Sequence, residues 1–247
     1  MGGEPSIHAE GGTGVAYAAV VTIRSARLWH GLTALVATGA LVLQLVLVLR
    51  GGRVLDEVDP PGLGIRLGRL VSYFTIQSNL LVAVVTVQLA RNPLRDGSWW
   101  RVVRLSAVAG IFVTGVVHFL LLRPLLDLEG ADWVADKLLH MVVPVLAVIG
   151  WALFGPRPRI ETRDVKAALV WPIAWLVWTL VVGWLSGWYP YPFLDHREEH
   201  GTAGVVVSIA GITAFFVVVV WLARIVDQRI QPAPQAWDPY RGGTASP

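Results

Sequence analysis

The chain has 247 residues, 55% of them hydrophobic and only 15% charged, with a net charge of +3 and a mean hydropathy of +0.59. Soluble domains carry about 25% charged residues, so this composition excludes an ordinary soluble fold and points to a polytopic membrane protein. The absence of cysteine excludes disulfides, thiolate metal ligands and a cysteine nucleophile. The basic pI of 9.6 does not indicate nucleic acid, because the Lys and Arg residues sit in short segments between apolar runs, where they act as topology signals.

In chain order, residues 1–26 are Gly-rich and lack a basic segment before an apolar core, so they read as a flexible N-terminal segment and not a cleaved leader. Apolar runs follow at about 28–49, 69–90, 103–123, 134–154, 166–187 and 203–225. Each is near the ~20 residues that a helix needs to cross a bilayer. Such runs are far too long for barrel strands, so the expectation is an all-α bundle of six transmembrane helices over residues 27–226. The Pro-, Gly- and Ser-rich segment 227–247 reads as a disordered tail. Tryptophans near the ends of the runs, Trp29, Trp99, Trp100, Trp133, Trp151, Trp188 and Trp221, form an aromatic-belt pattern. With both termini cytoplasmic, thirteen Lys and Arg residues fall inside and seven outside, and the positive-inside rule selects that orientation for a multi-pass cell-membrane protein.

The second run opens with YFTIQSNLL, in which Thr75, Gln77, Ser78 and Asn79 are groups that hydrocarbon solvates poorly. Thr75 and Asn79 are four apart and share a helix face. His140 lies about as deep in the fourth run as Thr75 does in the second, and Asp136 precedes it by one helical turn, where a carboxylate can orient an imidazole. His118 lies at the same level in the third run, with a spacing from Thr114 that allows bonding within its own helix. GWYPYPFLDH, between the fifth and sixth runs, has a backbone stiffened by Pro190 and Pro192 and is expected to cap the polar layer. His196 and His200 are four apart, but the nearby prolines argue against a long helix and no third ligand is fixed, so no metal or cofactor is expected. Gly183 and Gly187 form a GxxxG pair suited to close helix packing.

YFTIQSNLL, DKLLHMVVPVLAVIGW and GWYPYPFLDH occur in this order, and in this respect the sequence from Val71 to the end of the sixth run resembles the androgen-induced-gene and androgen-dependent TFPI-regulating protein family. The resemblance implies six spans and hydrolysis of fatty-acid esters of hydroxy fatty acids, with the family's threonine nucleophile at Thr75 and its histidine at His140. Residues 76–79 depart from the animal members' pattern. The residues themselves support the same chemistry. A threonine hydroxyl needs an adjacent base, and that base needs an orienting group. His140 is the candidate base, and Asp136 or Asp195 its orienter. Asn79, Gln77 or the Tyr191 hydroxyl could donate to a developing oxyanion, with His196 and His118 in support. The substrate expected is a lipid or fatty-acid ester entering from the bilayer. The competing expectation is a non-enzymatic membrane regulator whose polar layer only holds the bundle together.

Overall fold

The computed structural model describes residues 10–51, 61–155, 157 and 159–229, with residues 10–21 described by backbone alone. Among these the chain is helical, with no strand. Helix α1 spans Glu10–Leu49, α2 Leu63–Ser72, α3 Phe74–Arg91 and α4 Ser98–Val117. Next come α5 (Gly130–Lys137), α6 (Val143–Phe154), α7 (Thr162–Ala168), α8 (Val170–Ser186) and α9 (Gly201–Arg229). Six stretches are long and apolar enough to cross a membrane: 22–49, 74–91, 98–125, 130–154, 162–186 and 201–229. The protein is therefore a six-helix, multi-pass membrane protein, as the apolar runs predict. Helical backbone also reaches back to Glu10, into the segment read as flexible, and on through Asp227 to Arg229, into the segment 227–247 read as a disordered tail, the rest of which lies outside the described residues.

The outer faces of the helices are apolar, unlike those of a soluble bundle, while the interior mixes apolar packing with enclosed polar groups. Leu35, Trp184 and Val207 are 71%, 76% and 70% exposed, as suits surfaces that meet lipid. Polar Asn79, Ser78 and Thr33 are almost wholly enclosed. Association without a hydrophobic drive between helices relies on close packing and interhelical hydrogen bonds. α3 supplies both, lying against α1 on one side and α4 on the other. Thr114 on α4 donates to Ser78 on α3 at 3.3 Å. A Cβ on Gly110 of α4 would sit 2.7 Å from the Trp171 ring, so glycine is what lets α8 approach there.

Three local departures from straight helices position the site. The second span is not one helix from 69 to 90: Tyr73 is extended (φ −68°, ψ 129°) and separates α2 from α3. α4 runs into a wide π-helical turn at His118–Leu122, and a second wide turn, Leu138–Val142, joins α5 to α6. Such turns insert one extra residue into the helical winding and are frequent at functional sites. Gly183 and Gly187 do not form a helix-packing pair. A Cβ on Gly183 would strike the Tyr189 ring, and Gly187 ends α8 in the left-handed region (φ 71°) that glycine favours.

Candidate active site around Thr75 and His140

The break at Tyr73 has a chemical consequence. A helix leaves its first backbone N–H groups without intrahelical partners, and Thr75 stands in the first turn of α3. Its N–H donates to the Tyr191 hydroxyl at 3.3 Å, and its Oγ1 lies 3.4 Å from the same oxygen. The loop between α8 and α9 thus folds back over the start of α3. Tyr191 and Trp188 both pack edge-on against Tyr73, with ring centroids 5.7 and 5.8 Å away. Burial pushes the Tyr191 hydroxyl above the ordinary phenol range, so it remains a proton donor at neutral pH.

On the other side of Thr75, Oγ1 lies 3.3 Å from His140 Nε2. His140 Nδ1 is 3.0 Å from the Asp136 carbonyl and 3.0 Å from its carboxylate Oδ1. Both neighbours of Nδ1 are acceptors, which assigns its proton to Nδ1 and leaves Nε2 with a lone pair facing the threonine hydroxyl. Asp136 is 6% exposed and its Oδ2 accepts from Lys137 Nζ at 2.7 Å. The sequence reading overlooked Lys137 as a partner of Asp136, although the two are adjacent. Pro144 cannot donate to the His140 carbonyl one turn earlier. α4 comes close there because residue 115 is glycine, whose Cβ would sit 3.1 Å from that carbonyl.

His118 does not bond within its own helix through Thr114, whose hydroxyl turns to Ser78. Its ring instead stacks on that of His140, with centroids 3.8 Å apart and planes at 9°. His118 Nε2 is 3.2 Å from Asp136 Oδ1 but is poorly aligned for a hydrogen bond, and its Nδ1 has no partner among the described residues. One atom each from His118, Asp136 and His140 lie within 4.8 Å of one another, a spacing that a metal ion could bridge. An ion must lie in the plane of each imidazole that binds it. Two parallel stacked rings have no such common point, so binding would require one ring to turn.

Other candidates from the sequence lie elsewhere. Gln77 donates to the Val71 carbonyl at 3.0 Å and accepts from Trp171 Nε1 at 3.0 Å, which commits its amide to helix packing. Asn79 donates to the carbonyls of Thr75 (2.8 Å) and Leu139 (3.2 Å), linking the second and fourth spans. It holds the site's backbone, and its amide hydrogens are not aimed at the threonine hydroxyl. Asp195 is not the orienter of His140, because both its oxygens are engaged by Arg197 at 2.8 and 2.5 Å. That exposed guanidinium holds the Asp195 carboxyl below the ordinary range. His196 packs edge-on against Tyr189, with centroids 6.1 Å apart, and does not line either cavity at Thr75.

Two cavities meet at this point. An apolar groove between α4, α8 and α9, lined by Phe74, Val113, Trp175, Phe193 and Phe216, surrounds about 870 Å³ of space, part of it continuous with the exterior. A second hollow of about 680 Å³, likewise partly open, is lined by Gln44, Tyr73, Asp132, Leu139 and Pro190. Thr75, His118, Leu122 and Tyr191 line both. Comparison with models of protein families, with curated proteins and with solved structures finds no match to this chain.

Proposed function

We propose that the protein is a membrane-embedded hydrolase of lipid-like carboxylic esters. Thr75 is the nucleophile, His140 the base and Asp136 the orienting carboxylate. The observation that carries this reading is the 3.3 Å approach of Thr75 Oγ1 to a His140 Nε2 whose other nitrogen faces Asp136. That is the nucleophile–base–orienter arrangement that acyl transfer requires. In the first step Thr75 Oγ1 bonds to the ester carbonyl carbon while its proton passes to His140 Nε2. The negative charge that develops on the carbonyl oxygen accepts a hydrogen bond from the Tyr191 hydroxyl. The intermediate collapses, His140 returns the proton to the departing alkoxide, and an acyl-Thr75 remains. Water, deprotonated by His140, then releases the acid and restores the threonine.

The apolar groove beside Thr75 suits a long acyl chain, and the second hollow suits the alcohol side of the same ester. The resemblance of YFTIQSNLL and DKLLHMVVPVLAVIGW to the androgen-induced-gene and androgen-dependent TFPI-regulating family assigns the same two residues. The excess of Lys and Arg on the opposite side supports a site in the outer half of the cell membrane, with both termini cytoplasmic. The test is labelling of the purified protein with a fluorophosphonate, mapping of the modified residue, and hydrolysis of a panel of long-chain esters. Labelling at Thr75, lost in both Thr75→Ala and His140→Ala, is the expected result. If no ester is turned over and Thr75 stays unlabelled in a folded protein, the polar layer is structural and the non-enzymatic reading replaces this one.

A further inference from the structure

At the end of the bundle remote from Thr75, the α3–α4 connection, the start of α4 and the segment before α7 enclose a second polar hollow. It is lined by Arg95, Arg101, Arg104 and Arg159 against two carboxylates, Asp96 and Asp227, and is small and partly open to the exterior. Both carboxylates are already engaged. Asp96 grips Arg101 with both oxygens at 2.8 Å and stands 3.5 Å from Arg159. Asp227 Oδ2 accepts the backbone N–H groups of Arg159 and Ile160 at 2.7 and 2.8 Å, and its Oδ1 is 3.9 Å from Arg157 Nε.

Arg104 is left over. It is 9% exposed, pairs with no carboxylate among the described residues, and its buried Nη2 has no hydrogen-bond partner there. A buried guanidinium with no carboxylate in ion-pair reach is costly, because Asp227 and Asp96 attract it only from a distance and offset little of its desolvation. The neighbouring Trp100 indole N–H is likewise buried and unpartnered. Arg95 is held over the Trp100 ring at 4.6 Å and donates to Gln88 at 2.6 Å, again without a carboxylate. Two cations in excess and an indole donor therefore converge on one hollow. Guanidinium forks match oxyanions better than spherical ions, since parallel N–H groups meet parallel oxygens.

We infer that this hollow binds a phosphate-type oxyanion, with Arg104 as the principal ligand and Trp100 Nε1 and Arg95 completing its shell. The anion is either a phospholipid headgroup at the membrane surface or a soluble phosphate. The inference does not depend on the proposed hydrolase chemistry.

The test uses the delipidated full-length protein in neutral detergent, with thermal unfolding followed at fixed ionic strength. The probes are inorganic phosphate, dihexanoyl phosphatidic acid and chloride. Stabilisation by the short-chain lipid alone supports the site with a headgroup as ligand. Stabilisation by inorganic phosphate as well supports it with a soluble ligand. Arg104→Gln should weaken the apparent affinity by about tenfold, the size of one charge-assisted oxyanion contact. Trp100→Phe should weaken it severalfold, and Lys166→Gln, on the exposed surface, should leave it unchanged. Should Arg104→Gln fail to fold, Trp100→Phe decides. Failure of both phosphate probes to stabilise, equal stabilisation by chloride, or unchanged affinity in the folded variants would overturn the inference.

Discussion

The two ends of the bundle handle polar groups in opposite ways. Beside Thr75 the buried carboxylate of Asp136 faces two imidazoles and a lysine. The groups there hold protons that can be moved, and an apolar groove adjoins them. Around Arg104 there are mostly permanent charges, with the imidazole of His30 nearby, and they are engaged in fixed pairs except for Arg104, which no carboxylate among the described residues reaches within ion-pair distance. The first arrangement suits proton transfer, and the second suits holding an anion or fixing loops. The contrast teaches that burial of polar groups alone does not identify chemistry. What separates the two ends is the kind of group that is buried, imidazoles that can give and take a proton beside Thr75 and guanidiniums that stay charged beside Asp227.

The largest expected effect tests the proton-transfer end. Thr75→Ala and His140→Ala should each lower ester hydrolysis by about three orders of magnitude or more, and the double variant should cost little beyond either one, because such residues act as a unit. Thr75→Ser should retain measurable turnover. Single-turnover assays on the reconstituted protein check both statements, and additive losses would show that the two residues do not share a step. Asp136→Asn should lower kcat by about 10²–10⁴-fold, since the amide no longer stabilises an imidazolium. Activity equal to the parent would leave His140 oriented by its backbone contact alone.

A smaller loss is expected from Tyr191→Phe. Removing one oxyanion donor should cost about 10²-fold in kcat with KM nearly unchanged. A change confined to KM would instead make Tyr191 a wall of the groove. At the other end, Asp227→Asn should leave kcat untouched and destabilise the fold by about 3 kcal/mol, the cost of leaving buried donors short of their anion. Unfolding in denaturant checks the second part, and a fall in kcat for the folded variant would erase the division between the two ends.

The smallest effect concerns the loop that carries Tyr191. Arg197 donates to both Asp195 oxygens and to the Gly187 carbonyl, and the Asp195 carboxyl is held below its ordinary range. A depressed folded pKa means that the pair's stabilisation is complete above the unfolded carboxylate pKa and is lost as pH falls through the folded value. The parent's melting temperature should therefore carry a component that fades only in acid, below about pH 4. Arg197→Ala should lack that component and match the parent more closely at low pH than at pH 7. Equal acid profiles for the two proteins would show that the pair contributes nothing measurable.

The sequence carried the spans and the central pair for different reasons. Span positions follow from the length of the apolar runs, which composition reveals directly. Asp136 and His140 are four residues apart on one continuous helical stretch, so their meeting needs no tertiary information. The break at Tyr73 was invisible because neither proline nor glycine marks it. It is held by aromatic packing against Trp188 and Tyr191, residues far along the chain. Gln77 was misread for a similar reason, since its partner Trp171 lies on α8. His118 meets Asp136 because α4 widens after Val117 and α5 widens after Lys137, and no local residue pattern announces either turn.

Those two widened turns also set a limit on how the protein can be hardened. A regular α-helix advances about 100° per residue, so removing the extra residue from Leu138–Val142 would swing one part of the helix about its axis by roughly that angle relative to the other. Helical hydrogen bonding would improve, while the side chains on either side of the turn could no longer face Thr75 and α4 together. Directed selection for heat resistance alone would reward such a repair, and the variants it enriched would be sturdier membrane helices that had lost their alignment.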